Sequence, residues 1–289
     1  MRVAALTMAY NEAVFLPLWG RHYARQVGAE NLYVLDHGSD DGSIEAFRAA
    51  HPEAQVVALP RSPLDEPARA SVVAEYCAWL LGRYDAVAHS DTDELLLAEP
   101  RFHDDLTAYA ASHPPPVTTA VGLDLHHLPG DEPPLDPARR LGEQRRWVRF
   151  SAAMCKPALT RKPLKWSPGF HSADAPLALD QLYLIHLRYV DLDLGLARLA
   201  RTRNQPMADP SANAHQRVPD EAFEALMRGV AALPRRAAVP LDPALPPLER
   251  WTAALRRSRA AREGELYKLD LGLAGDELWE LPERFRTAL

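Results

Sequence analysis

The chain has 289 residues, of which 47% are hydrophobic and 25% are charged, and its net charge is −6. These values are typical of a soluble globular protein with one large domain, or one domain and an appendage. The acidic balance argues against a nucleic-acid-binding protein, and no apolar run reaches the roughly 20 residues needed to span a bilayer. Two cysteines exclude a disulfide framework and a cysteine-based zinc site, so we expect a cytoplasmic location.

Short apolar runs alternate with helical patterns in the first half of the chain, as in a parallel α/β sheet. In chain order, the pattern predicts strand 3–8, helix 13–27, strand 32–35, helix 44–50, strand 55–59, helix 67–82, strand 86–88, helix 102–112, strands 118–125 and 182–190, and helices 195–203, 220–233 and 248–262. Residues 129–168 are rich in Pro and Arg and are predicted to be irregular. We therefore expect an α/β body over residues 1–190 and a helical C-terminal portion over 191–289.

Polar segments follow three of the predicted strands, at residues 9–12, 36–43 and 91–94. Ligands of open α/β sheets bind outside the carboxyl ends of the strands, so the three segments are expected to line one site. Asp91 and Asp93 are one residue apart, and such a pair can share a hard divalent cation, which prefers oxygen ligands. Turn and helix-cap roles are an open alternative for the polar residues of these segments.

In this order, the three segments resemble family 2 glycosyltransferases with the GT-A fold, in a soluble, non-processive subgroup that carries a DxDE motif. The matching residues are Asn11, Glu12, Leu16, Trp19, His22, Gly28, Tyr33, Asp36, Ser39, Asp41, Gly42, Ser43 and the DxDE of residues 91–94. The resemblance implies a GT-A fold and inverting transfer of one sugar from a nucleotide-sugar, first of all a UDP-sugar, to a hydroxyl acceptor. A glycan, a lipid-linked sugar or a small molecule could be that acceptor, for example in surface glycan or glycolipid assembly.

The resemblance also implies roles for individual residues. Those implied to bind the nucleotide are Ala9, Tyr10, Asn11, Glu12, Asp36, Asp91 and Thr92. Those implied to hold the divalent cation, Mn²⁺ or Mg²⁺, are Asp91, Asp93 and His186. A buried core histidine is the alternative for His186. Glu94 either orients a metal ligand or the acceptor, without itself binding the metal, or is an exposed residue at the end of a strand. His37 stands where many members of the family have a second Asp, which leaves the identity of the nucleobase open.

The catalytic base is not fixed by the sequence, because the Glu-Asp pair usual in this family is absent. Asp174 and His171 are the two candidates in the corresponding interval. Two other functions stay open: a non-catalytic subunit that binds a sugar nucleotide, and a nucleotidyltransferase on a similar sheet. The second would need a Gly-rich phosphate loop after the first strand, which residues 9–12 do not provide.

Two basic stretches carry no motif. Between Arg139 and Lys165 there are nine basic residues and one acid, and Lys156 and Arg149 are candidates to face the diphosphate, with a solvated loop as the alternative. The predicted helix 248–262 has an apolar face followed by arginines, which suits either packing or peripheral contact with the inner face of the membrane. Residues 204–218 are either a lid over the acceptor or a connector.

Overall fold

The computed structural model describes residues 1–209, 216–258 and 266–289. In these ranges, eleven strands form one sheet. The strands are β1 (Val3–Ala9), β2 (Leu32–Asp36), β3 (Gln55–Ala58), β4 (Ala86–His89), β5 (Glu94–Ala98), β6 (Val117–His126), β7 (Trp147–Phe150), β8 (Pro157–Thr160), β9 (Leu179–His186), β10 (Arg235–Arg236) and β11 (Leu278–Glu280).

Helices flank this sheet. They are α1 (Phe15–Val27), α2 (Ser43–Ala50), α3 (Glu66–Leu81), α4 (Leu106–Ala111), α5 (Leu141–Gln144), α6 (Leu192–Asn204), α7 (Asp220–Ala231), α8 (Leu248–Arg257) and α9 (Glu283–Ala288). Helix α1 buries Leu16, Trp19 and Tyr23 completely. Their helical spacing brings them to one face, which packs in the main hydrophobic core with β1 and β2.

The N-terminal half of the sheet is parallel, with strands in the order β4-β1-β2-β3. Beyond β4 the sheet is mixed: β8 lies antiparallel between β4 and β6, and β9 is parallel to β6 but antiparallel to β5. The carboxyl ends of β1, β2 and β4 lie at one edge because these strands run in the same direction. The predicted α/β architecture, with a central sheet and flanking helices, is confirmed.

Two parts of the middle of the chain differ from the prediction. The apolar run after the DxD motif forms β5, which the sequence prediction missed, and Glu94 pairs there with His186 of β9. Residues 129–168 are not irregular throughout, since they contain α5, β7 and β8. Each of these three elements has four residues, a length at which hydrophobic periodicity carries little signal.

The C-terminal part contains the predicted helices as α6, α7 and α8. It also contributes β10 and β11 to the sheet, where β11 pairs with β7 and Trp279 is fully buried. The division at residue 190 stays a prediction, and the sheet itself extends across it. Residues 259–265, at the end of the predicted helix 248–262, lie outside the described residues, as do residues 210–215 of the proposed lid or connector.

Among the described residues, none of the helices is both long enough and apolar enough to span a bilayer. Both cysteines, Cys77 and Cys155, are buried and unpaired.

Candidate functional site

The first two polar segments meet at the carboxyl edge of the parallel strands. Ala9 at the end of β1 pairs with Asp36 at the end of β2. Beyond them, the backbone N–H of Asn11 donates to Ser39 Oγ at 3.1 Å. The Asn11 side chain exchanges two hydrogen bonds with Asp40, at 2.8 and 2.9 Å. The adjacency that the sequence predicted for these two loops is therefore present in the structure.

Several polar side chains of these loops shape the backbone. Asn11 has φ 54°, in the left-handed region that Asn tolerates better than most residues. Asp36 Oδ1 accepts the N–H of Ser39 at 2.8 Å, and Asp41 Oδ1 accepts the N–H of Ser43 at 3.0 Å. The turn roles left open for these residues in the sequence are therefore realised.

An aromatic ring stands beside these loops. Tyr10 carries the guanidinium of Arg61 over its ring, 3.7 Å from the centroid, and the His37 ring lies 6.5 Å away at a steep angle. Arg61 also contacts His37 Nδ1 at 3.3 Å. Tyr10 thus has a stacking partner at the strand ends, in the position of the predicted base pocket.

Asp91 belongs to a cluster with two cations and a second carboxylate. It contacts Arg69, and Lys156 Nζ lies 3.5 Å from its Oδ2. Lys156 also contacts Glu94 Oε1 at 2.5 Å, and Glu94 Oε2 accepts the N–H of Asp91 at 3.1 Å. Burial would raise the pKa of Asp91, but the charges of Arg69 and Lys156 outweigh burial and lower it. We call these four residues the Asp91 cluster.

Glu94 is buried rather than exposed at a strand end, since only 2% of its surface is accessible. The exposed alternative is therefore wrong, because β5 pairs with β9 and covers this residue. Burial raises the pKa of Glu94, and the neighbouring Lys156 opposes that rise. Of the two basic residues expected to face the diphosphate, Lys156 lies in this cluster. The other, Arg149, donates from Nε to the carbonyl of Gly275 at 2.6 Å.

Asp93 belongs to a different cluster. Its Oδ2 lies 3.4 Å from His186 Nε2, and the other ring nitrogen of His186 lies 2.6 Å from Asp124 Oδ1. Burial would lower the pKa of His186, but hydrogen bonds to Asp124 and Asp93 raise it to about 9. Sequence reasoning missed Asp124, whose only signal is a carboxylate within the apolar strand β6. His186 is therefore buried, as the core-histidine alternative requires, but each of its ring nitrogens faces a carboxylate.

These residues fit a divalent cation. Asp93, Glu94 and His186 each offer one ligand atom, and the three atoms lie within 4.8 Å of one another. All three residues are buried. Two oxygens and an imidazole nitrogen suit Mn²⁺ better than Mg²⁺. Metal-ligating histidines usually donate their other N–H to a carboxylate, which is the place of Asp124. Asp91, implied as a ligand by the resemblance, is not in this group of three.

Two arginines of α6 complete the Asp93 cluster, which we define as Asp93, His186, Asp124, Arg198, Arg201 and Glu12. Arg198 contacts Asp93 and, at 3.1 Å, Glu12 Oε1. Arg201 contacts the same Glu12 oxygen at 2.8 Å and also the carbonyl of Asn11. The sequence offers no signal for either arginine, because arginines are ordinary residues on the polar face of a helix.

Glu12 is 8% exposed, and its Oε2 is buried without a hydrogen-bond partner among the described residues. Burial raises its pKa, against the charges of Arg198 and Arg201. A buried carboxylate oxygen without a partner is a place where a ligand or ion can bind. Thr92 is also buried, between the two carboxylates of the motif.

The two candidate bases lie in one loop. Phe170 packs under the guanidinium of Arg69, 4.9 Å from its ring centroid, which brings this loop to the Asp91 cluster. His171 Nδ1 lies 2.7 Å from the carbonyl of Ala153. Asp174 is exposed, and its Oδ1 accepts the backbone N–H of Lys165 at 3.0 Å.

The chain is similar to solved structures at low identity. The structure of S. aureus TarS has a TM-score of 0.36 and 13% identity, over 78% of this chain and 43% of that chain. Glucosyl-3-phosphoglycerate synthase from Mycobacterium tuberculosis, solved with Mn²⁺, UDP and glucosyl-3-phosphoglycerate, has a TM-score of 0.29 and 17% identity, over 43% of this chain and 44% of that chain. A cytidylyltransferase from Leptospira borgpetersenii has a TM-score of 0.26 and 12% identity, over 45% of this chain and 55% of that chain.

This chain spans less than half the length of the first two proteins. No family model and no curated protein matches it. Similarity at these TM-scores does not bear on function, which depends on the geometry of the site.

Proposed function

We propose that this protein is a GT-A glycosyltransferase that moves one sugar, with inversion, from a nucleotide-sugar to a hydroxyl acceptor. A UDP-sugar is the first choice of donor. The observation that carries the proposal is the buried group of Asp93, Glu94 and His186 beside two loops at the carboxyl ends of parallel strands. A nucleoside diphosphate needs a cation for its phosphates and a surface for its base, and this edge offers residues for both.

The base and the diphosphate of the donor would each have their own residues at this edge. The base would stack near Tyr10, where Arg61 now covers the ring. Asp36, at the end of β2, pairs with Ala9, the residue before Tyr10. The diphosphate would lie between the Asp91 and Asp93 clusters, within reach of Lys156 and Arg198. Lys156 lies directly before β8 and contacts Asp91, whereas Arg198 of α6 contacts Asp93, and together they would neutralise a dianionic leaving group.

The reaction breaks the bond between the anomeric carbon and the diphosphate oxygen, whose electron pair leaves with the diphosphate. A new bond forms between that carbon and the acceptor oxygen, and the acceptor proton passes to a base. A divalent cation held by Asp93, Glu94 and His186 would supply positive charge to the departing diphosphate. The surrounding charges of Lys156 and Arg69 keep Asp91 ionised.

For the base we propose His171 rather than Asp174. The carbonyl of Ala153 can only accept a hydrogen bond, so His171 donates to it from Nδ1. In this tautomer the basic nitrogen of the ring is Nε2. The Asp174 carboxylate instead accepts a backbone N–H and is exposed.

Thermal unfolding tests the donor site. The midpoint is measured with UDP, GDP or CDP, each with and without Mn²⁺, for the wild type, Asp93→Asn and Asp276→Asn. Since a ligand that binds only the native state raises the midpoint, UDP with Mn²⁺ should stabilise the wild type and Asp276→Asn but not Asp93→Asn. Asp276 is an exposed carboxylate paired with Arg250 and serves as the matched control. A midpoint unmoved by every nucleotide contradicts the donor site.

Turnover of UDP-sugars, including slow hydrolysis, tests the base. His171→Ala should lower turnover by about 100-fold or more while the UDP–Mn²⁺ stabilisation is kept, and Asp174→Asn should stay near the wild type. The reverse result assigns the base to Asp174. Nucleotide binding with no turnover in any variant, including the wild type, would favour the non-catalytic subunit.

A further inference from the structure

Arg198 occupies a position that a metal ion would also need. Its guanidinium contacts Asp93 Oδ2, the same oxygen that lies 3.4 Å from His186 Nε2. Asp93 and His186 are two of the three residues whose ligand atoms converge. In this structure the positive charge beside Asp93 is therefore supplied by a side chain of the protein itself.

The surrounding charges explain why Arg198 lies there. Its second amino group reaches Glu12 at 3.1 Å, so one guanidinium joins two buried carboxylates. Burial would lower the pKa of Arg198, but the charges of Asp93 and Glu12 outweigh it, and the pKa rises. Without that guanidinium, Asp93 would be a buried carboxylate with only His186 to offset its charge, and unpaired buried charges are costly.

The backbone around Arg198 is anchored independently of this contact. Asp191 caps the start of helix α6: its side chain accepts the N–H of Leu194 at 3.0 Å and lies 3.3 Å from the buried Arg145. Further along, Arg201 contacts Glu12 and the Asn11 carbonyl. Arg198 lies between these anchors with a quarter of its side chain accessible. The guanidinium can therefore rotate away from Asp93 without unfolding α6.

A divalent cation at Asp93 would repel the guanidinium that contacts the same carboxylate, because the interaction of like charges at a few ångströms is large in a partly buried site. We propose that Arg198 competes with the divalent cation for Asp93, and that the displaced Arg198 binds the diphosphate of the nucleotide. The second half rests on the proposed function, whereas the competition does not. When the cation binds alone, the displaced Arg198 loses its contact with Asp93 and gains no new partner. When the nucleotide binds as well, its diphosphate becomes a new partner for Arg198, so cation and nucleotide bind cooperatively.

Binding of Mn²⁺ alone, followed by titration calorimetry, tests the competition. We expect Arg198→Gln to bind Mn²⁺ about tenfold more tightly than the wild type, because removal of the competitor frees Asp93. With Mn²⁺ saturating, we expect the same variant to bind UDP about tenfold more weakly. A misfolded variant cannot produce a tighter metal site, so the first result is not open to a merely structural explanation.

One control separates competition from a general change in charge. Arg203→Gln removes the same charge from the same helix, at a partly buried arginine paired with Asp220 rather than with Asp93. This variant should bind Mn²⁺ within about twofold of the wild type. An equal gain in Arg203→Gln would mean that the effect is only net charge, and the competition would be overturned.

The outcomes distinguish this inference from the proposed function. Unchanged or weaker Mn²⁺ binding by Arg198→Gln overturns the inference, even where the wild type binds UDP with Mn²⁺ and the proposed function stands. Tighter Mn²⁺ binding by Arg198→Gln supports the competition even where no nucleotide binds, a result that contradicts the proposed function. Unchanged UDP affinity in that variant overturns the role at the diphosphate.

Discussion

The two carboxylates of the DxD motif are one residue apart, yet they lie in clusters of different character. In the Asp91 cluster, two carboxylates face two cations, Arg69 and Lys156, in direct ion pairs. In the Asp93 cluster, the carboxylate faces a histidine whose other nitrogen is held by Asp124. In the first arrangement the charges are paired within the protein, whereas the second supplies two of the three converging ligand atoms, from Asp93 and His186, and Glu94 of the first cluster supplies the third. Proximity in sequence therefore does not give two carboxylates the same role.

The largest expected effect is a loss of stability when an ion pair of the Asp91 cluster is removed. Lys156→Met leaves Glu94, which is 2% exposed, without its direct cation. Loss of one partner of a buried ion pair costs about 3–5 kcal/mol, so the free energy of unfolding in urea should fall by that amount. Arg228→Met, at an exposed pair with Glu224, should change it by less than about 1 kcal/mol. Equal losses in the two variants would contradict a buried, balanced cluster.

Metal affinity should separate the two carboxylates. Asp93→Asn removes a ligand atom, and we expect Mn²⁺ affinity to fall by more than about 100-fold. Asp91→Asn, outside the converging group, should lower it by less than about tenfold. Calorimetric titration of both variants with Mn²⁺ measures the difference. A larger loss in Asp91→Asn would transfer the principal metal contact to Asp91, which the resemblance implied to be a metal ligand.

A smaller effect is expected at Asp124, which contacts His186 but is not in the converging group. Asp124→Asn should weaken Mn²⁺ binding by about tenfold, because the hydrogen-bond partner of a ligating histidine orients the ring. The folded state should be retained, as judged by an unchanged circular dichroism spectrum. Mn²⁺ affinity equal to that of the wild type would mean that Asp124 does not position His186.

The smallest effect concerns acid stability near the same cluster. His126 is buried two residues after Asp124, with neither ring nitrogen hydrogen-bonded among the described residues, and burial lowers its pKa to about 4. An unfolded histidine has a pKa near about 6.5. The unfolded state therefore binds the proton first, and stability is lost as pH falls from about 6.5 towards 4.

His126→Phe keeps the ring that stacks on Tyr189, 4.9 Å away, and removes the titrating group. Between about pH 6.5 and 4, the free energy of unfolding of this variant should depend less steeply on pH, by up to about 1.4 kcal/mol per pH unit. Urea unfolding at several pH values measures that slope. An unchanged slope would mean that His126 takes up its proton at the same pH in both states.

Sequence patterns predicted most of the elements around the carboxyl edge of the parallel strands. The apolar runs of β1, β2 and β4 and the helical spacing in α1 are local features that a short window contains. β5 was missed although four of its five residues are apolar, because so short a run after a turn does not distinguish a strand from a buried loop. The short elements between residues 129 and 168 were missed for the same reason.

At the site, the sequence by itself determined that carboxylates and turn residues end three neighbouring strands, and it placed His186 in a buried strand. The tertiary structure alone decided which group faces which. Lys156 and Glu94 are 62 positions apart, as are His186 and Asp124, and Arg198 and Asp93 are 105 apart. Such pairings depend on how strands and helices pack, which local periodicity does not encode. That is why the carboxylates of the motif could be recognised in the sequence, while the separation of its two aspartates into different clusters could not.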